Sequence, residues 1–233
     1  MNQDVGALIV IFASFGFLLL FFCKKLLSRD AILFANIFGI TIYFLGGLET
    51  FFTVLIFFLL AEMATFLGRK NSKPHERRGI SNIIGNGMPS LVALFFGSQI
   101  GFYGGLSAAL SDTMSSEIGL LSKNKPRLIT NMKKQVPPGT DGGITLDGTI
   151  AGLAGAFLIG FCFFSFAYKN SSMLKSLLGF FIITISGFFG CLTDSLFGAL
   201  FENKGKLSNT EVNLAGSSTG VLLAHLLWSI FSI

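Results

Sequence analysis

The sequence predicts an all-α, polytopic transmembrane helical bundle of about seven or eight spans, and three observations predict it. Of 233 residues, 52% are hydrophobic and only 12% charged, with 28 Phe, and mean hydropathy is +0.71, whereas a soluble domain carries about 25% charged residues. The apolar residues fall in blocks long enough to cross a hydrocarbon core of about 30 Å, which takes about 20 residues per helix. Within each block Phe, Leu and Ile run all round, with neither the polar face of a soluble amphipathic helix nor the alternation of a barrel strand. One integral membrane domain is therefore expected over residues 1–233, with N-terminal helices and a basic loop in 1–80 and a motif-bearing core in 81–233.

In order, spans are expected at residues 7–23, 31–47, 51–67, 80–96, 101 to about 121, 149–168, 174–192 and 212–233. The first resembles a signal peptide only in length. It has no basic residue before the apolar run, begins with Asp4, and is followed by Lys24 and Lys25, an order that anchors rather than cleaves. The fifth contains Asp112 and Glu117, and a re-entrant segment there gives the seven-span version. Cys23, Cys162 and Cys191 lie in or beside apolar blocks with no CxxC or Cys/His spacing, as small buried hydrophobes do. His225, in the last block, reads as a helix-packing hydrogen bonder.

Charge sets the expected orientation, because short loops rich in Lys and Arg stay cytoplasmic. With eight crossings, all but two of the 17 Lys and Arg residues fall on one side, leaving Lys169 and Lys175 on the other. The polar motif loops then face the cytoplasm and both termini face outward. The net charge of +5 is also what topology and anionic lipid alone would select, and nucleic acid is not an expected partner.

Residues 105–152 are the part that life in lipid does not explain. Carboxylates at membrane depth cost about 2.5–3.5 kcal/mol each and usually face a polar cavity. Asp112, Glu117 and Asp194 are such groups, with Glu62 a fourth candidate. Hard oxygen ligands suit Mg²⁺, which keeps several waters and bridges phosphates, so Asp112, Glu117 and Asp194 are candidate metal ligands; the plain alternative is that they pair with neighbouring lysines and arginines. An echo links SDTMSSEIG at residues 111–119 with TDSLFGALFENKG at residues 193–205. Each puts an Asp beside a hydroxyl residue near a helix end.

The segment VPPGTDGG, residues 136–143, is the second element. Pro138 stiffens it, Gly139, Gly142 and Gly143 permit positive φ and close approach of backbone N–H groups to an anion, Thr140 offers a hydroxyl beside Asp141, and a helix starting near Thr145 would aim its positive end the same way. Arg127, Lys133 and Lys134 stand just upstream. The whole reads as a phosphate cradle, although Pro-Gly runs also make ordinary turns. A third element joins Arg78, suited to bidentate phosphate contact, to Asn82 and Asn86, four apart and so on one helical face. Asn213 repeats the amide at a helix start. A positive-inside anchor with packing amides explains this third element equally well.

ALSDTMSSEIG, PRLIT, VPPGTDGGITLDGTIAG, GCLTDSLFGALFE and the later EVN resemble the motifs of the integral membrane family that includes the chloroplast phytyl-phosphate kinase. The resemblance runs from about Asn82 to the C-terminus, is most specific in the Pro-Pro-Gly-Thr loop, and departs at Asp141, where the pattern usually has Asn. The family is distantly similar to the CTP-dependent phytol and dolichol kinases. The resemblance implies phosphoryl transfer from a nucleoside triphosphate, CTP or UTP before ATP, to a prenyl monophosphate of the phytyl or geranylgeranyl type, with Mg²⁺ as cofactor. Asp112, Asp194 and Glu117 would act at the metal, with Lys134 and Arg127 neutralising developing charge. The expected partners are the lipid substrate, the nucleotide, membrane lipids and, in a homodimer, a second copy; the absence of a transit-like N-terminal extension leads us to expect a multi-pass protein of a prokaryotic plasma or internal membrane. Two rivals remain at this point. One is a CTP-dependent polyprenol kinase acting on the alcohol, and the other a lipid-phosphate transporter or flippase without chemistry.

Overall fold

The computed structural model describes residues 28–68, 79–169 and 171–232, together with Phe12 and Gly16. Among these are six α-helices and a small sheet: α1 (Arg29–Gly68), α2 (Ile80–Phe95), α3 (Gln99–Gly119), β1 (Arg127–Leu128), β2 (Asn131–Gln135), β3 (Gly143–Ile144), α4 (Leu146–Ala167), α5 (Met173–Leu200) and α6 (Asn209–Phe231). Four of them, α1, α4, α5 and α6, are long and apolar enough to cross a membrane, and α2 is a shorter apolar helix. Among the described residues there are therefore six helices where seven or eight spans were expected for the whole chain. The expected span at 7–23 lies outside the described residues.

The expected spans at 31–47 and 51–67 belong to one element. Forty residues of straight helix would reach about 60 Å, twice the hydrocarbon core. Gly47 breaks the run instead, at φ 82° and ψ −167°, a conformation open to glycine and strained for residues with a Cβ. The two arms fold side by side: Ile32 packs with Phe58, Tyr43 meets Phe51 edge to face at 6.4 Å, and the Thr50 hydroxyl donates to the Gly47 carbonyl at 2.9 Å.

Helix α3 owes its place to small residues. It packs against all five other helices and is buried almost continuously from Ile100 to Ser111. Its GGLSAALS run lets neighbouring backbones approach closely, the usual route to tight packing where lipid supplies no hydrophobic drive. At Gly187 of α5, a Cβ would collide with the Ser107 side chain. That closeness puts the Ser107 hydroxyl 3.2 Å from both the Ala156 carbonyl of α4 and the Ile183 carbonyl of α5. Surrounded by protein, α3 needs no lipid-compatible exterior, so it tolerates the acids near its C-terminus.

The sheet, in order β2-β1-β3 and antiparallel throughout, was not part of the all-α expectation. Two of its strands have only two residues each, too short for any periodicity to register. It folds the segment between α3 and α4 back over the bundle end.

The chain's connections give the bundle two chemically distinct ends. At one lie the C-termini of α1, α3 and α5, the N-termini of α2, α4 and α6, and the sheet. At the other lie Gly47, the α2–α3 turn and the α4–α5 turn, around a cavity of about 460 Å³. There Ser98 Oγ and His225 Nδ1 hydrogen-bond at 2.9 Å, the packing role expected of His225, and Lys175 Nζ sits 5.7 Å from the Trp228 ring centre. Cys162 is half-buried and Cys191 buried, both as free thiols; Cys23 lies outside the described residues.

Candidate functional site

Four elements converge at the end that carries the motifs. On α5, Asp194, Ser195 and Gly198 face one cavity of about 310 Å³, and Glu202, in a single 3₁₀ turn just after the helix, faces it as well. This helix was expected to stop at 192, but it continues to Leu200 and so carries Asp194 to the cavity on a rigid element. On α3, Asp112, Ser115, Ser116 and Glu117 line the opposite wall, and the Ser116 hydroxyl donates back to the Asp112 carbonyl at 2.8 Å. From α6 come Asn209 and Asn213, whose side chains bond to each other at 3.3 Å. The fourth wall is the loop from Pro138 to Gly143.

The carboxyls of Asp112 and Asp194 are hydrogen-bonded to one another. Two such groups in contact need either a shared proton or a cation between them. Gly216 makes the approach of α6 possible, since a Cβ there would lie 3.0 Å from the Asp194 Cβ. Glu117 is buried and lies beside Gly68 at the end of α1.

The loop is two linked turns. The Thr140 N–H donates to the Pro137 carbonyl at 3.2 Å and the Gly143 N–H to the Thr140 carbonyl at 2.8 Å, while the Thr140 hydroxyl also donates to the Pro137 carbonyl, at 2.7 Å. Gly139 and Gly142 take φ of +81° and +73°. At Gly142 a Cβ would also run into Ala199 and the Ser195 carbonyl, so glycine is required both for the turn and for seating the loop on α5. The Asn203 amide clamps it from outside by donating to the Asp141 carbonyl at 2.6 Å. Burial pushes the Asp141 carboxyl above the usual carboxylate range, opposed by a backbone hydrogen bond. Two helix N-termini also face this end. In α4 the Gly148 N–H is capped by Thr145 Oγ1 at 3.0 Å, and α6 starts with a Ser208–Glu211 capping box.

Of the candidate residues, the structure brings together Asp112, Glu117, Pro138, Gly139, Thr140, Asp141, Gly142, Gly143, Asp194 and Asn213. Arg127, Lys133 and Lys134 are exposed on the sheet, away from the cavity lining; Arg127 Nη1 donates to the Met132 carbonyl at 2.7 Å. Asn82 lines a separate apolar cavity between α1 and α2. Asn86 lines that cavity and also a small crevice beneath Asp112 and Asp194. Arg78 lies outside the described residues. Sequence reasoning left out Glu202 and Asn209. Glu202 follows Asp194 by eight residues, two helical turns, and Asn209 precedes Asn213 by four, right after the cap Ser208; those spacings were the available signal.

The lining therefore holds five carboxylates, Asp112, Glu117, Asp141, Asp194 and Glu202, and, among the described residues, neither Lys nor Arg. Among the described residues no three His, Cys, Asp or Glu side chains cluster closely enough to form a complete protein ligand set. The carboxylates that lie nearest one another there are Asp112 and Asp194.

Comparison with known proteins places the chain in context. Residues 12–223 match the family described as integral membrane protein DUF92. The uncharacterized membrane protein MJ0933 of Methanocaldococcus jannaschii is 37% identical over 215 residues, covering 88% of this chain and 87% of that one. In Arabidopsis thaliana, protein PGR is 38% identical over 120 residues, covering 49% of this chain and 40% of its own length. The chloroplastic protein VTE6 of the same plant is 27% identical over 225 residues, covering 86% of this chain and 65% of its own length. No solved structure matches significantly. The chain belongs to the DUF92 family of integral membrane proteins, which bears out the family resemblance read from its motifs.

Proposed function

We propose that this DUF92-family chain transfers a phosphoryl group from a nucleoside triphosphate to a prenyl monophosphate, giving the prenyl diphosphate. The observation that carries the reading is the Asp112–Asp194 pair seated beside a glycine-lined loop at one end of a membrane bundle. Support for the acceptor comes from the motif resemblance; support for phosphate chemistry comes from the cavity.

An anionic oxygen of the acceptor phosphate attacks the terminal phosphorus of the donor. The bond from that phosphorus to the bridging oxygen breaks, and the nucleoside diphosphate leaves with the electron pair. The attacking oxygen carries no proton, so little general-base help is needed and positioning and charge neutralisation dominate. Asp112 and Asp194 would hold Mg²⁺, which when bound neutralises phosphate charge. The Asn209 and Asn213 amides donate to phosphate oxygens, and the N-terminal ends of α4 and α6 add favourable dipoles. Arg127, Lys133 and Lys134 contribute a positive field from the sheet rather than direct contacts, drawing nucleotide toward a lining that is itself acidic.

An alcohol acceptor is the second reading, because Glu117 lies in the same cavity and would take the hydroxyl proton. We also place the motif end in the cytoplasm. The α3–α4 and α5–α6 connections lie at that end, and in the sequence these connections and residues 69–78 together carry most of the Lys and Arg, as cytoplasmic loops do. Cysteines introduced at Lys133 and Lys169 should react with an impermeant maleimide from opposite sides of inverted vesicles. For the chemistry, purified protein is given phytol or phytyl phosphate with labelled CTP, UTP or ATP. Label in the diphosphate supports the proposal, label in the monophosphate supports the alcohol reading, and nucleotide-independent flux in liposomes rejects both in favour of transport.

A further inference from the structure

The cavity at the end away from the acid pair has no part in phosphoryl transfer. Its volume of about 460 Å³ falls within the range of roughly 300–1,000 Å³ that small-molecule sites occupy. Five helices supply its walls: α1 just past Gly47, the first turns of α3 and α5, and the last two turns of α4 and α6. Tyr103, Phe163 and Trp228 make part of the lining aromatic, and Glu49, Lys175 and His225 bring charged and polar groups to the same space.

Glu49 and Lys175 stand on different helices, and among the described residues neither is in an ion pair. Lys175 Nζ instead lies 5.7 Å from the centre of the Trp228 ring, a contact that holds the ammonium over a ring face and leaves its three N–H donors for a ligand. Ser98 Oγ accepts from the Gly101 N–H at 3.2 Å and bonds His225 Nδ1 at 2.9 Å, which fixes the imidazole and leaves Nε2 for a further partner. The N-terminal ends of α3 and α5, whose first residues line the cavity, add positive potential. Topology gives no reason for Lys175, since it and Lys169 are the two basic residues expected on the side where cations are scarce. Low-dielectric walls focus the field of each charge, and a carboxylate and an ammonium that face one volume without pairing complement a ligand that carries both charges.

We propose that this cavity binds a zwitterion, its ammonium at Glu49 and its phosphate or carboxylate at Lys175 and His225, with its carbon skeleton against Tyr103, Phe163 and Trp228. A phospholipid headgroup and a free small zwitterion share that chemistry. An anion alone meets Glu49 as a like charge, and a cation alone meets Lys175 in the same way. The two cavities lie at opposite ends of the bundle, so binding here neither needs nor reports phosphoryl transfer.

Trp228 is the only tryptophan in the chain, so its emission reports on this cavity. The full chain in phosphatidylglycerol nanodiscs is titrated with phosphoethanolamine, with ethanolamine and glycerol phosphate as single-charge controls, and a second series of discs carries rising fractions of phosphatidylethanolamine. A saturable change with phosphoethanolamine identifies a free zwitterion as a source, and one seen only with the phosphatidylethanolamine discs identifies a headgroup. Each supports the proposal when the single-charge controls bind at least about tenfold more weakly, the scale of one charged hydrogen bond. Glu49→Gln should weaken zwitterion binding about tenfold without weakening glycerol phosphate, whereas Lys175→Gln should weaken both by about that factor. Both side chains are exposed, so each variant should keep the melting temperature of the parent. No saturable change from either source, equal affinity for glycerol phosphate and phosphoethanolamine, or variants that bind as the parent does would overturn the inference and leave Lys175 and Trp228 as interfacial anchors.

Discussion

Replacing Asp112 by Asn separates function from stability more sharply than any other single change. In the structure its carboxyl meets that of Asp194 within a lining of five carboxylates and no described Lys or Arg. The amide keeps the shape and can still donate to Asp194, so the fold keeps its contact and loses a like charge. A carboxylate at membrane depth costs about 2.5–3.5 kcal/mol, and relief of part of that leaves the variant at least as stable as the parent in detergent without metal. Turnover should fall about 10²–10³-fold, the loss seen when one charge-stabilising group is removed from a preorganised site. Thermal shift with Mg²⁺ supplies the link between the two. Saturation at about 100 times Kd stabilises the parent by about 2.7 kcal/mol, and the variant should lose most of that increment. A variant that keeps both turnover and its Mg²⁺ shift, or one that melts well below the parent without metal, would refute the reasoning.

Gly142→Ala should cost about 1–3 kcal/mol and most of the activity, because strain at φ +73° adds to a collision with α5. Gly205→Ala, at φ +64° with nothing within 4 Å, should cost only about 1 kcal/mol; equal effects in melting and turnover assays would count against the seating of the loop. Asp141 holds its proton more tightly folded than unfolded, so the folded state loses stability as pH rises from the unfolded carboxylate range, about 4, through the raised folded value. Asp141→Asn should flatten that slope and melt higher at neutral pH, as melting temperatures measured across an acid-to-neutral series would reveal. Lys133→Gln and Lys134→Gln, exposed on β2, should each move stability by no more than about 0.5 kcal/mol and lower turnover far less than Asp112→Asn, with the effect fading at high salt; steady-state kinetics at two ionic strengths decide this.

Much of the helical layout was legible because lipid imposes a simple grammar. The starts of α2, α4, α5 and α6 fall within a few residues of expectation, since each follows a polar or capping run, and the two arms of α1 match their apolar blocks. The count was harder to read, because hydropathy does not show that the blocks at 31–47 and 51–67 are two arms of one element broken at Gly47, and the block at 7–23 lies outside the described residues. The acid pair was legible from Asp112 and Asp194 alone, since a carboxylate in an apolar helix needs a reason. What the sequence hid was direction. Arg127, Lys133 and Lys134 adjoin the Pro-Pro-Gly-Thr loop along the chain, yet the hairpin of β1 and β2 carries them away from the cavity, and such short strands leave no pattern to predict. Glu202 and Asn209 escaped notice because one lies in the connection between α5 and α6 and the other at the first position of α6, where acids and amides are ordinary surface residues until the fold turns them inward.

The most direct test is product analysis after incubating the purified protein in nanodiscs with phytyl phosphate, Mg²⁺ and terminally labelled nucleotides. The account predicts label in the prenyl diphosphate, lost in Asp194→Asn. It is contradicted if no nucleotide yields the diphosphate, or if Asp194→Asn forms it as fast as the parent.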